Sequence, residues 1–245
     1  MGVRKNKREQ LLLEDKSVVR VFSSIDFDKE IGIREKALEI EKKLKNLFPK
    51  PAIIGPVGDE EPEAVPRFFL EGEHTRCYFS QVRMEYHTAY TEQEGKPIDM
   101  RLDEMKYKTL KVFSSFRQET GKKLKRMGVV SDVVVPLRKG DNAISYLQKT
   151  FFRFTFSKPF TALDFHLARE HKDTYNINIY IKAQIKRTDP SKHVLYITVD
   201  VNDYLDQIKK KHTSYPNKEI ERVFNFQKEI VVKNLDKILT NKFIL

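Results

Sequence analysis

The residues with the clearest chemical potential lie between Met105 and Arg126. Eight cations there (Lys106, Lys108, Lys111, Arg117, Lys122, Lys123, Lys125 and Arg126) accompany a single acid, Glu119. A helix turns by ~100° per residue. On that basis Lys108, Lys111, Ser115, Gln118, Lys122, Lys125 and Arg126 share one arc, and Leu102, Met105, Val112, Phe116, Thr120, Leu124 and Met127 share another. Lys106 and Lys123 break the separation. Such a stripe suits contacts to phosphates, which bring affinity and salt dependence without reading sequence. The same cations would equally solvate an exposed helix face and favour its C-terminus. Arg4, Lys5, Lys7 and Arg8 add a basic arm over residues 1–16, expected to be mobile. The run Lys209-Lys210-Lys211-His212 reads as a solvated loop.

A second group sits on alternating positions. Asp164, His166, Asn176, Asn178, Tyr180, Lys182, Gln184, Tyr196, Thr198 and Asp200 fall on one side of three strand-like runs. Leu163, Phe165, Leu167, Ile177, Ile179, Ile181, Ala183, Ile185, Leu195, Ile197, Val199 and Val201 fall on the other. An antiparallel sheet with one wet face has this pattern. So does a ligand platform, with Tyr180 and Tyr196 stacking bases and the amides reading their edges. Asp164, His166 and Asp200, near His171 and Asp203, contain the residue types of a metal-dependent phosphodiesterase. Their spacing matches no tight motif.

Other chemistry is poorly served. There is no G-x-S-x-G turn, and neither G-x-x-x-x-G-K nor G-x-G-x-x-G occurs. His74, Cys77 and His87 do not have zinc-site spacing, and Cys77 is expected to pack inertly on a strand. No catalytic residue, metal or cofactor is expected.

The chain of 245 residues carries 46 Lys and Arg against 35 Asp and Glu, a formal charge of +11. That surplus favours a polyanionic partner, either nucleic acid or an acidic protein. A lone cysteine excludes an internal disulfide. No apolar run approaches the ~18 residues of a spanning helix, and the first twenty residues lack a signal-peptide core. A cytoplasmic protein without integral membrane association is expected.

Hydrophobic spacing positions these groups. It predicts a strand over Ser17–Ile25, a helix over Asp28–Phe48, a proline-rich acidic loop over 49–66, and strands over Arg67–Glu71 and Thr75–Tyr90. A second helix follows over Asp99–Met127, ended by Gly128, then a strand over Val129–Leu137. That order is βαββαβ, the ferredoxin-like arrangement, here spanning 17–140. Residues 141–245 read as four strands, Ser145–Ser157, Ala162–Ala168, Tyr175–Arg187 and His193–Asn202. A turn at Thr188–Ser191 joins the last two, and a terminal helix over Asn217–Thr240 covers this antiparallel meander. The fold class is α+β.

The run Glu61-Pro62-Glu63-Ala64-Val65-Pro66-Arg67-Phe68-Phe69, the strand Tyr78-Phe79-Ser80-Gln81-Val82, Leu163-Asp164-Phe165-His166 and the closing helix through Phe243 resemble a sporadically distributed bacterial family of unknown function. The resemblance implies no catalytic residues. Its patchy distribution suits a mobile element or a defence system.

Three functions follow as expectations. The first is a non-catalytic protein that contacts nucleic acid through the basic helix face and the N-terminal arm. The second is a subunit of a larger assembly whose basic face meets an acidic partner. The third is a metal-dependent phosphodiesterase or nuclease.

Overall fold

The computed structural model describes residues 11–91, 96–152, 160–171, 174–185, 189, 191–203, 216–240 and 242. Strand β1 (Ser17–Phe27) leads through a 3-10 turn (Ile31–Arg34) into α1 (Ala37–Leu44). The short strands β2 (Ile53–Ile54), β3 (Phe68–Glu71), β4 (Thr75–Phe79) and β5 (Arg83–Ala89) follow, then α2 (Ile98–Thr120), β6 (Leu124–Pro136) and α3 (Ala143–Phe151). Strands β7 (Asp164–His171), β8 (Tyr175–Ile185) and β9 (His193–Asp203) precede α4 (Pro216–Lys228), a π-helical turn (Glu229–Asn234) and α5 (Leu235–Leu239).

The strands form one nine-stranded sheet in the order β2-β3-β4-β5-β1-β6-β9-β8-β7. Every neighbouring pair is antiparallel. The protein is therefore mixed α+β, with a large antiparallel sheet and a C-terminal helix. The two halves of the chain meet in that sheet, since β6 pairs with β9 from Gly128↔Asn202 to Pro136↔Val194.

The helices pack on one side of the sheet. Phe27 of β1 meets Phe116 of α2 at 4.4 Å between ring centroids, and the buried hydroxyls of Ser23 and Thr109 are 2.9 Å apart. From α4, Gln227 Nε2 donates to Ser131 Oγ and to the Val199 carbonyl, each at 2.9 Å. Phe151 at the end of α3 packs on Phe165 of β7 at 4.6 Å. The apolar stripe expected for the last helix, from Ile220 to Ile238, is buried throughout. On the other side, β1 alternates Arg20, Phe22, Ser24 and Asp26 with buried Val21, Ser23, Ile25 and Phe27.

Five expectations are corrected. The helix expected to run to Met127 ends at Thr120, where Gly121 takes φ 68° and its N–H returns to the Arg117 carbonyl at 2.8 Å. Glycine occupies that left-handed position without a Cβ penalty. The β-branched run that follows pulls Leu124 onward into β6, with Leu124 and Met127 buried as strand residues. The single strand expected over Thr75–Tyr90 is a hairpin, because Ser80 turns the chain. Its N–H bonds the Arg83 carbonyl at 2.8 Å and its hydroxyl accepts from Arg83 N at 2.9 Å. Residues 143–151 are helical rather than extended, capped by Asn142 Oδ1 accepting from Ser145 N at 3.0 Å; this is the side-chain cap that favours helix entry. The long first helix is broken into a 3-10 turn and α1, although Ile33, Ala37, Ile40 and Leu44 are buried as their spacing requires. The end of the basic arm is docked, with Leu11 bridging Leu137 and Lys16 Nζ 2.8 Å from Asp236.

Phe224 is 1% exposed, in the stripe that α4 lays on the sheet. Phe224→Ala is expected to destabilise the protein by about 3–5 kcal/mol, the range for truncating a core phenylalanine. Denaturant unfolding measures it, and a loss below about 1 kcal/mol would mean that α4 is not part of the core.

Candidate functional site

The end of α2 at Gly121 disperses the basic stripe. Lys108 stays on α2 and pairs with Glu104 one turn away. Lys111 also remains on α2. Lys122 lies beyond the helix, where its Nζ donates to the Lys29 carbonyl at 2.7 Å and sits 3.3 Å from Glu30. Lys125 is on β6 and pairs with Asp28 at 2.6 Å. Arg126 is on β6 as well, facing the helix-free side of the sheet. These pairs, from half-buried at Lys108 and Lys122 to exposed at Lys125, occupy donors that a phosphate would need. Arg4, Lys5, Lys7 and Arg8 lie outside the described residues, as do Lys209, Lys210, Lys211 and His212.

The helix-free face gathers aromatic and polar groups from both halves of the chain. Phe22 of β1 and His87 of β5 are cross-strand partners with stacked rings, 5.0 Å apart and 8° from parallel. Tyr78 meets His87 edge-on at 5.4 Å, and Phe69 lies 5.8 Å from Tyr78. Two guanidinium groups flank this ladder, Arg20 at 5.7 Å from the Phe22 ring and Arg76 at 5.3 Å from Phe69. On β7 and β8 a second pair, His166 and Tyr180, stacks at 4.2 Å. Asp164 stands opposite Lys182, which stands opposite Tyr196.

Register places the expected ligand residues in a common plane without drawing them all together. One cross-strand row runs His87, Phe22, Val130, Asp200, Asn178 and Ala168, and the next includes Ser24, Gly128, Asn202 and Asn176. Asp200 on β9 is separated from Asp164 and His166 on β7 by the whole of β8. Among the described residues no three His, Cys, Asp or Glu side chains gather to hold a metal ion. Arg20, Phe22 and Tyr78 were not singled out as site residues from the sequence, and His87 was weighed only as a zinc ligand. Their signal was the alternation within Ser17–Ile25, which puts Arg20 and Phe22 on one side. Tyr78 and His87 were hidden by reading the β4–β5 hairpin as one strand.

Most charges on this face are matched. Arg20 Nε reaches Asp132 at 2.6 Å, and Thr198 Oγ1 donates to the same buried carboxylate at 2.7 Å. Burial and the neighbouring Asp132 carboxylate push the Tyr196 phenol up to about 12. Arg83 Nε reaches Asp26 at 2.6 Å. The His87 hydrogen bond holds the Glu85 carboxyl below its ordinary value against the opposing effect of burial. Asp200 behaves differently. Burial raises its pKa, opposed by Asn202 Nδ2 donating at 2.5 Å, by the charge of Arg126 and by the Asn178 amide. On the helix side of the sheet, burial pushes the Cys77 thiol far up, so it stays protonated. None of the described helices is long and apolar enough to cross a membrane.

No protein-family model matches the chain, and no curated protein matches it in sequence.

Because Asp200 has a raised pKa when folded, the native state holds its proton more tightly than the unfolded chain does. Its contribution to stability is therefore greatest below the unfolded carboxyl range and declines as pH rises through the folded pKa. Asp200→Asn is expected to raise the unfolding midpoint at pH 7 relative to the wild type, with the difference shrinking towards pH 4. A variant less stable than wild type at pH 7 would contradict this reading of the site.

Proposed function

We propose that the protein is a non-catalytic nucleic-acid-binding protein that takes a single strand across the open face of its sheet. The observation that carries this reading is the ladder Phe69–Tyr78–His87–Phe22, bordered by Arg20 and Arg76 on a face without helices. Stacked aromatic rings accept unpaired bases whatever their identity, and guanidinium groups beside them add cation–π and phosphate contacts. A duplex offers no exposed base faces to such a surface, so the strand is single.

The same conclusion draws support from topology. Strands β6-β1-β5-β4 with α1 and α2 run in βαββαβ order. We read them as a ferredoxin-like unit to which β2 and β3 are added at one edge and β9-β8-β7 at the other. This differs from the sequence assignment, which used β3 and an unbroken Thr75–Tyr90 strand. In a unit of this kind the two central strands, here β1 and β5, present their outward side chains in the middle of the platform, where Phe22 and His87 stand.

Base stacking is worth about 1–3 kcal/mol per aromatic. Phe22→Ala and Tyr78→Ala are each expected to weaken binding to short single-stranded RNA or DNA by roughly 5- to 150-fold. Combined Lys108→Ala, Lys111→Ala, Lys122→Ala and Lys125→Ala replacement should change it by about threefold or less, under ~0.7 kcal/mol. Fluorescence anisotropy measures both. The reverse ranking would return the contact to the α2 side, and unaltered affinity in a folded Phe22→Ala, Tyr78→Ala double variant would remove the platform.

A further inference from the structure

Two charged groups on the open face differ from their neighbours. Arg20, Arg76 and Arg83 are each held by a carboxylate, from Asp132, Glu71 and Asp26 respectively. Arg126 makes no hydrogen bond or ion pair among the described residues. Asp200 has amide partners there and feels the charge of Arg126, although the two close no ion pair. Both line one depression of about 350 Å³, together with Phe22, Ser24, Gly128 and Asn202.

The register explains how they converge. Gly128 stands opposite Asn202, and Val130 opposite Asp200, so Arg126 and Asp200 approach one strip of sheet from its two ends. A Cβ at position 128 would fall 2.2 Å from Asn202 Oδ1. Glycine thus keeps the floor low where the carboxamide lies across it. Phe22 occupies the same cross-strand row as Asp200, with Val130 between them.

An arginine fork is satisfied by two acceptors in a plane, and a carboxylate by two adjacent donors. Among the four bases only guanine offers both, presenting N7 and O6 on one edge and N1–H with the N2 amine on the next. Adenine, cytosine and thymine or uracil each lack an edge with two adjacent donor groups. Resting on the reading of the face as a single-strand platform, we propose that this depression is a guanine-selective subsite. Arg126 donates to N7 and O6, Asp200 accepts from N1–H and the N2 amine, and the base lies beside Phe22. The half-buried carboxylate closes no ion pair and is costly to charge in the free protein, and a base that supplies two donors relieves that cost.

Anisotropy titrations with a short single-stranded uridine oligonucleotide, with and without one internal guanine, read the preference. The guanine oligonucleotide should bind roughly 5- to 150-fold tighter, the discrimination expected of one good bidentate contact. Inosine, which lacks the N2 amine, and 7-deazaguanine, which lacks N7, should each forfeit much of that gain. These analogues probe the Asp200 and Arg126 contacts without altering the protein. Asp200→Asn should erase the difference between the two oligonucleotides. Equal wild-type affinity for both overturns the subsite while leaving the platform standing. Absence of binding to either overturns the platform and the subsite together.

Discussion

Strand β6 hydrogen-bonds along both of its edges, to β1 from Ser17↔Val134 to Phe27↔Leu124 and to β9 from Gly128↔Asn202 to Pro136↔Val194. Without that double pairing the chain would hold two smaller sheets, each with its own exposed edge. With it, a single twisted surface extends from β2 to β7. The alternation within β6 then sets what each side can be. Val129, Ser131, Val133 and Val135 face the helices, while Arg126, Gly128, Val130 and Asp132 face away. A one-residue slip would exchange the two sets, so the core and the open face are specified by the same register.

The distribution of charge follows from this division. On the helix side, lysines are tied to acids on neighbouring elements, as Lys228 Nζ of α4 is to Asp103 of α2 at 2.6 Å. On the open side, Arg20, Arg76 and Arg83 are tied to carboxylates one strand away. These pairs leave the open face close to balanced in sign and rich in aromatic rings and amides. Such a surface recognises a ligand through its faces and edges more than through net charge. Part of the +11 surplus belongs to segments outside the described residues: residues 1–10 carry Arg4, Lys5, Lys7 and Arg8 against Glu9, and residues 204–215 carry three lysines against Asp206.

What was legible in the sequence was periodicity sustained over several turns or strand pairs. The stripe from Ile220 to Ile238 and the alternation through β8 and β9 are both buried as their spacing requires, since each has many apolar positions that agree. Boundaries set by one residue were not. Gly121 and Gly128 lie seven positions apart in a stretch whose lysines suit a helix, and only the left-handed backbone at Gly121 distinguishes the cap from the strand glycine. Ser80 similarly interrupts an alternation that continues on either side. These two misplacements obscured the site. The first kept Arg126 on a helix, and the second put Tyr78 on the same side as Tyr86, which is buried. The helical 143–151 segment escaped because aromatic residues favour strands on average, whereas Asn142 provides a specific helix start.

The central claim is that unpaired bases lie on the open face formed by β3, β4, β5, β1, β6, β9 and β8. Backbone amide chemical-shift perturbation by NMR, recorded as a short single-stranded oligonucleotide is titrated into the protein, tests it most directly. The shifts are expected to concentrate at Phe22, His87, Gly128, Asn178 and Asn202, which come from distant parts of the chain and share only that face. Shifts confined to the exposed side of α2 around Lys108 and Lys111, with the sheet residues unmoved, would contradict the account.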